Sequence, residues 1–291
     1  MRGQNMYWSR VKTILIILFV VINIFLLVNM VISLNQSIVI SDKTINNTVQ
    51  VLQRNDITIN EQMIPRRIQN VSFLVIENAI QDTHQFVSRG LGQSYEKQIK
   101  DSGTIYTHQT KTLILENASD FIYTDTAAYL EIGDVTKQRV ERYVRRILEN
   151  LGFQMKHVKT MEMIVQDDLT YVFTFKQQYD GKPILQSDIR ATLSPGGTLT
   201  IEGVAWLPKR VEDKVPSRQI TSVLIEFIRR EDRPKDEVME ITNLSLGYFP
   251  GQDIDNFKEV HAAPVWKIEA ITVNGKTYEG LFEAIKKPIR P

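Results

Sequence analysis

The chain has 291 residues, of which 43% are hydrophobic and 24% charged, so it allows about two domains and can bury a core. Its 35 Lys and Arg residues nearly balance 34 Asp and Glu residues, and a net charge of +1 disfavours nucleic-acid binding through bulk charge. The lack of cysteine excludes disulfides, thiolate catalysis and cysteine-based metal sites.

An uncharged apolar run near the N-terminus predicts a transmembrane helix over residues 13–34. As a helix this run is about 33 Å long, enough for a bilayer core of about 30 Å. Basic but no acidic residues precede it, so the positive-inside rule predicts a cytoplasmic tail over residues 1–12 and extracellular domains from residue 35. A cleavable signal peptide is the alternative, but the run is too long and Ile32–Asn35 is a poor cleavage site.

Three polar residues interrupt this predicted span. Asn29 and Ser33 are four residues apart and share a face, whereas Asn23 points about 120° away from Asn29. Polar side chains in hydrocarbon seek hydrogen-bond partners on neighbouring helices. We therefore predict that Asn23, Asn29 and Ser33 contact partner membrane helices. For Asn29 and Ser33, an approach to the outer membrane interface is the alternative.

The first extracellular segment shows helical and strand periodicity in turn. Ile45, Val49 and Leu52 recur at i, i+4 and i+7 and predict a helix. Alternation and turn residues then predict further elements. These are a short strand at 57–59, a strand over 68–77, a helix over 84–91 and two strands between 103 and 125. We assign residues 35–129 to a first extracellular α+β domain.

The following segment contains the clearest helix of the chain. Its apolar stripe runs from Val140 to Leu151, and Gly152 stands where a C-terminal glycine is expected. Strands with short turns follow and predict antiparallel pairing. They cover 161–166, 169–179, 184–193 and 198–207.

A second helical stripe at 220–228 and three strand-like runs repeat this pattern, with Asn274-Gly275 as a hairpin turn. A helix followed by an antiparallel sheet is thus predicted at 136–207 and again at 216–286, with a weaker form at 41–125. We assign residues 130–291 to a second, larger extracellular α+β domain.

The sequence shows no pattern of a catalytic, cofactor or metal site. The four histidines lie far apart, and none stands at a metal-binding spacing from another. A loop from Asp253 begins like a calcium site, but Lys258 takes the place of its glycine and Pro264 that of its glutamate. Aspartates near strand ends leave a glycosidase-like pair open, although turn chemistry explains most of them. They are Asp167, Asp168, Asp180 and Asp188. We expect no enzyme activity, no cofactor and no metal.

Four arginines gather on the polar side of the clearest helix. They are Arg139, Arg142, Arg145 and Arg146. Such a face could meet anionic lipid headgroups or a wall polymer. A solvated face is the favoured interpretation, because Glu141 and Glu149 interrupt the positive charge.

Several segments resemble the YycI (WalI) family. Tyr7–Ile14, with the letters YWSRVKTI, resembles the start of that family, in which a W-S-[KR]-x-K-T-I segment enters the only membrane helix. Val51–Ile59 resembles its helix-to-strand passage, where an N-G-I pattern is usual and Asp56 replaces the glycine. Leu246–Tyr248 and Ala263–Ile268 are similar to its final strands.

The resemblance implies a regulator and not an enzyme. Proteins of this family sit in the membrane of Gram-positive bacteria with YycH and the sensor histidine kinase YycG (WalK), and adjust the two-component system that controls cell-wall metabolism. Tyr179–Ile184 further resembles the strand turn of PepSY-like modules. The implied fold class is α+β, with one N-terminal transmembrane helix and then repeated helix-on-antiparallel-sheet, PepSY-like extracellular domains. An extracellular binding module for a wall polymer or peptide is the alternative function.

Overall fold

The structure is a computed structural model of a mixed α+β protein. It describes residues 11–27, 39–101, 103–116, 119–166, 169–212, 214–234, 237–251 and 258–285. Contacts divide the chain into a first unit, Met1–Gln69 with Gln219–Glu240, and a second unit, Asn70–Arg218 with Ile241–Pro291.

The helices and strands are numbered along the chain. The described helices are α1 (11–27), α2 (Asp42–Gln53), α3 (Thr83–Leu91), α4 (Ala128–Ile132), α5 (Lys137–Leu151) and α6 (Ile220–Arg229). The first described strands are β1 (Ile57–Ile59), β2 (Asn70–Val71), β3 (Leu74–Asn78), β4 (Glu96–Lys100), β5 (Gly103–His108), β6 (Lys111–Leu115), β7 (Asp120–Asp125) and β8 (Val158–Val165). The later ones are β9 (Tyr171–Tyr179), β10 (Lys182–Leu193), β11 (Leu199–Val204), β12 (Trp206–Val211), β13 (Val215–Pro216), β14 (Met239–Phe249), β15 (Glu259–Thr272) and β16 (Thr277–Glu283).

Helix α1 contains the beginning of the predicted span 13–34. All of its residues are exposed. The remainder of the span, including Asn29 and Ser33, lies outside the described residues. Within the described ranges, no helix combines the length and the apolar character needed to cross a membrane.

The predicted helices α2 and α6 pack against each other in the first unit. Helix α2 begins after Ser41, whose hydroxyl oxygen accepts a hydrogen bond from the backbone N–H of Thr44 at 3.3 Å. The apolar stripes of both helices are buried. The buried residues are Ile45, Thr48 and Leu52 in α2, and Ile220, Thr221, Val223, Leu224 and Phe227 in α6. The predicted helical periodicity is thereby confirmed for both.

The passage from α2 to β1 has an unusual backbone conformation at Asp56, where φ is +58°. Few residues other than glycine adopt this left-handed region, and aspartate is among those that do. The backbone carbonyl of Asp56 accepts a hydrogen bond from the N–H of Met239 at 2.9 Å. The position where the family resemblance leads us to expect glycine thus has a conformation that favours glycine.

The second unit contains an antiparallel arrangement of two meanders, each preceded by a helix. Helix α3 precedes β4–β7, and α5 precedes β8–β11. The strand order β8-β9-β10-β11-β7-β6-β5-β4 puts the last strands of the two meanders side by side. These strands pair from Asp120 opposite Val204 to Asp125 opposite Leu199. Helices α3 and α5 contact each other and share a hydrophobic core with this sheet.

The predicted domain boundary between residues 129 and 130 falls inside the second unit. Phe121 of β7 lies in the same core as Val144 of α5 and Phe173 of β9. The physical reason is the pairing of β7 with β11, which joins the two meanders and removes an exposed edge from each. The observed grouping therefore differs from the predicted partition into residues 35–129 and 130–291.

The remaining strands of the second unit continue the sheet beyond β10. Strand β3 lies between β12 and β15, and β15 also pairs with β14 and β16. Strands β10 and β14 meet in a parallel bridge between Ile184 and Tyr248. Beside this bridge, a Cβ added to Gly247 would lie 2.8 Å from the carbonyl oxygen of Pro183, so glycine permits the close approach.

Several strand predictions differ from the structure. Strand β4 was not predicted, and the strand expected before residue 116 is divided into β5 and β6 by a turn at Gln109, where φ is +53°. The strand expected over 198–207 is divided into β11 and β12, and that expected over 68–77 into β2 and β3. The predicted end of α5 is confirmed, because Gly152 has a left-handed φ of +106°.

Candidate functional site

Asn23 is the one predicted partner-contact residue that falls within the described residues. Its Nδ2 donates a hydrogen bond to the backbone carbonyl of Phe19, 2.8 Å away in the same helix. An asparagine side chain has a second N–H and a carbonyl oxygen. These groups are available for the predicted contact with a neighbouring helix, which stays a prediction.

The described residues contain no group of three or more metal-ligating side chains. Asp188 lies 3.8 Å from the ammonium group of Lys176, and Asp180 lies within 3.9 Å of those of Lys182 and Lys214. Both aspartates are therefore placed opposite lysines. Asp167, Asp168 and the loop 252–257 lie outside the described residues.

An exposed apolar surface lies at the end of the sheet where the β8–β9 and β10–β11 turns meet. Here a cavity of about 590 Å³ is lined by Tyr129, Val135, Leu169, Tyr171 and residues 193–197, among others. Leu169 is 65% exposed, Tyr129 48% and Val135 41%. We name Tyr129, Val135, Ile164, Val165 and Leu169 the apolar surface.

Strand β8 contributes two residues to this apolar surface and has a free edge beside them. Ile164 and Val165 are exposed, and Val165 lies opposite Tyr171 of β9. In the described sheet, β8 pairs with β9 alone, which leaves its other edge unpaired. Exposed apolar patches and free strand edges are typical of protein–protein contact sites. This surface has no signal in the sequence, because its residues come from four separate segments.

A second candidate site lies between α4 and α5. Its cavity of about 310 Å³ is lined by Glu131, Ile132, Arg139, Arg142, Tyr143 and Arg146. The arginines form a visible stripe in the sequence, but the residues of other elements that pair with them carry no such signal. Arg145, by contrast, points elsewhere and forms hydrogen bonds with Glu141 and Thr160 at 3.0 and 2.5 Å.

The buried end of this second site is a tyrosine–aspartate pair. The hydroxyl of Tyr143 donates a hydrogen bond to Oδ2 of Asp125 at 2.7 Å. Asp125 also accepts hydrogen bonds from the hydroxyl of Thr110 and the backbone N–H of Ala127, both at 3.0 Å. Burial, followed by the hydrogen bond to Asp125, raises the pKa of Tyr143 far above its usual range. Tyr143 therefore remains a hydrogen-bond donor at any physiological pH.

A third cavity, of about 370 Å³, lies beside three aromatic side chains. The rings of His157 and Tyr179 are stacked with centroids 5.0 Å apart, and the ring of Tyr248 meets Tyr179 edge-on. Burial, followed by the nearby charge of Lys156, lowers the pKa of His157. Folding therefore favours the neutral form of this imidazole.

Replacing His157 by glutamine is expected to reduce the loss of stability on acidification. The pKa of His157 in the folded protein lies below its ordinary value of 6.5, so the unfolded chain takes up the proton first. The contribution of neutral His157 to the free energy of unfolding is therefore complete above about pH 6.5. It is lost as the pH falls towards the pKa of His157 in the folded protein. Urea unfolding at about pH 7.5, 6.5 and 5.5 measures this slope.

The control for this prediction is the exposed His84, replaced in the same way. This variant separates the effect at position 157 from that of replacing any histidine by glutamine. The prediction is contradicted if the free energy of unfolding falls equally steeply with decreasing pH in the unaltered protein and in His157→Gln.

Comparison with known proteins identifies a family. A family model described as YycI protein matches residues 35–285, which is more than half of the chain. No curated protein matches the chain. Among solved structures, the crystal structure of an uncharacterized protein from Eubacterium rectale ATCC 33656 is similar, with a TM-score of 0.48 and 11% identity. The match covers 78% of this chain and 88% of that one.

Proposed function

We propose, since this chain belongs to the YycI family, that it is a membrane-anchored extracytoplasmic regulator of the sensor histidine kinase YycG (WalK) and acts together with YycH. Membership of this family implies a role in the regulation of the YycFG (WalRK) two-component system. The family match over residues 35–285 is the observation that carries the proposal. The protein adjusts cell-wall metabolism through partner contacts and has no enzymatic activity of its own.

The anchor in this proposal is the apolar segment 13–34, with residues 1–12 in the cytoplasm and residues 35–291 outside the cell. The membrane helix contacts the kinase through Asn23, Asn29 and Ser33. Hydrogen bonds between membrane helices contribute about 0.6 to 2 kcal/mol each. A bias of about 1 to 3 kcal/mol changes a two-state equilibrium about 5- to 150-fold, so a few such contacts suffice to shift a kinase between signalling states.

The extracellular part in this proposal binds YycH through the apolar surface. Two features support this assignment: the exposure of Leu169 and Val135, and the free edge of β8. The helix-plus-meander units are PepSY-like in this view. The turn at Asp180 and Gly181, with φ values of +51° and +73°, has the tight geometry of a two-residue hairpin.

Substitutions in the membrane helix and in the apolar surface should reduce the binding of different partners. We expect Asn23→Leu combined with Asn29→Leu to reduce the kinase that co-purifies from membranes about fivefold or more, because partner hydrogen bonds are lost. We expect Leu169→Glu to reduce co-purified YycH, because it places a charge in an apolar contact. The measurement is a pull-down of the intact protein from membranes, probed for YycG and YycH.

Each variant has a matched control. Val20→Leu alters the same helix without removing a polar group, and Ile99→Glu adds the same charge at the opposite edge strand β4, where Ile99 is 75% exposed. Both controls should retain both partners. If the intact protein recovers neither partner and a version lacking residues 1–34 still restores the wall phenotype, the regulator proposal fails in favour of an extracellular binding module.

A further inference from the structure

Three arginines of α5 converge on one cavity. Arg139, Arg142 and Arg146 are spaced i, i+3 and i+7, which puts them on one side of the helix. Together with Glu131 and Ile132 they line the cavity of about 310 Å³ between α4 and α5. The same helix buries its opposite, apolar side in the core.

The carboxylates at this cavity are already paired with cations. The two oxygens of Glu131 lie 2.6 Å from the guanidinium of Arg146 and 3.2 Å from the ammonium of Lys111. Asp134 lies 3.3 Å from Arg139. The described residues give Arg142 no ion pair, so it adds an uncompensated positive charge to this set. Tyr143, which also lines the cavity, donates a hydrogen bond from its hydroxyl to the buried Asp125.

The arginines also repel one another in the absence of a ligand. Arg142 is three residues from Arg139 and four from Arg146, and like charges at these spacings destabilise a helix. Neighbouring groups hold Arg146 in place, since its guanidinium lies 4.9 Å from the centroid of the Tyr143 ring and also pairs with Glu131. An anion in the cavity would relieve the repulsion and meet a donor group that is already oriented.

We propose that this cavity, the arginine site, binds a phosphate group. Guanidinium groups match phosphate oxygens with paired N–H donors. Three guanidinium groups around one cavity suit a tetrahedral anion with several oxygens, whereas a carboxylate offers two in one plane. The phosphate comes either from the headgroup of an anionic phospholipid or from a soluble phosphodiester polymer, and the chemistry of recognition is the same.

The test measures binding of inorganic phosphate to the full chain in neutral detergent by calorimetry, at constant ionic strength. We expect the double variant Arg139→Gln with Arg142→Gln to weaken phosphate binding about tenfold or more. Arg142→Lys should weaken it less, because lysine keeps the positive charge but lacks the paired N–H donors of a guanidinium group. Sulfate should compete with phosphate, and acetate should not. The control is Arg190→Gln with Lys159→Gln, which removes the same charge from exposed positions on β10 and β8.

Two further probes distinguish the sources of the phosphate group. Binding of dihexanoyl phosphatidylglycerol that depends on Arg139 and Arg142 assigns the site to a lipid headgroup. Binding of a glycerol phosphate oligomer with the same dependence assigns it to a soluble polymer. The proposal is overturned if the double variant binds phosphate as the unaltered protein does while circular dichroism shows both folded. It is also overturned if the charge-matched control loses binding equally, or if acetate competes as well as sulfate.

Discussion

Replacing Gly103 by alanine is expected to destabilise the protein by about 2 to 6 kcal/mol, the sum of backbone strain and steric overlap. Gly103 has a φ of +133°, and an added Cβ would lie 2.4 Å from the carbonyl oxygen of Leu115 and 2.9 Å from the Cα of Glu116. Both are backbone atoms, so they can move only by disturbing the pairing of Thr104 with Leu115. Strained backbone and steric overlap therefore add together. Urea unfolding of the full chain, followed by tryptophan fluorescence, measures the change.

Gly92→Ala is the matched control for this substitution. Gly92 also has a positive φ, +91°, but an added Cβ would meet no atom within 4 Å. This variant experiences the backbone cost alone, about 1 to 3 kcal/mol. The difference between the two variants isolates the collision with the β6 backbone. Equal destabilisation would show that β6 moves aside at no cost.

Removing the hydroxyl of Tyr143 is expected to destabilise the protein by about 1 to 3 kcal/mol. Asp125 is 1% exposed and accepts hydrogen bonds from Tyr143, Thr110 and Ala127, so Tyr143→Phe leaves a buried carboxyl oxygen without its donor. The pair also links α5 to the end of β7. Urea unfolding near neutral pH measures the loss.

Tyr95→Phe controls for the removal of a hydroxyl in the same unit. Tyr95 is partly exposed, and its ring meets Tyr106 edge-on at 5.5 Å, a contact that phenylalanine preserves. We expect a change within about 0.5 kcal/mol. If Tyr143→Phe is no more destabilising than Tyr95→Phe, the hydrogen bond to Asp125 contributes nothing measurable.

Helices α2, α3, α5 and α6 were predictable from sequence because each buries one apolar face. The stripe from Val140 to Leu151 is buried in α5, and the glycine that ends the helix has the expected left-handed conformation. Strand β4 had no such signal, since all of its residues are exposed, and alternation appears only when one face of a strand is buried. The β5–β6 turn was missed because Gln109 adopts a positive φ without being a usual turn residue.

Contacts distant in sequence could not be predicted. Nothing in the letters of β7 and β11 identifies them as partners, yet their pairing joins the two meanders. The arginines were visible as a helical stripe, but Lys111 and Glu131 come from other elements and were not connected with them. The apolar surface likewise combines residues of separate turns and a strand edge.

The discontinuity of the first unit determines when that unit can fold during synthesis. Helix α2 ends at Gln53, whereas α6, against which it packs, begins at Ile220. At about 5 to 20 residues per second, the ribosome takes about 10 to 30 s to produce the chain between them. During this interval the apolar stripe of α2 has no α6 to cover it, although β4–β11 have already emerged. The unit that contains α2 is therefore completed after most of the unit that follows it in the chain.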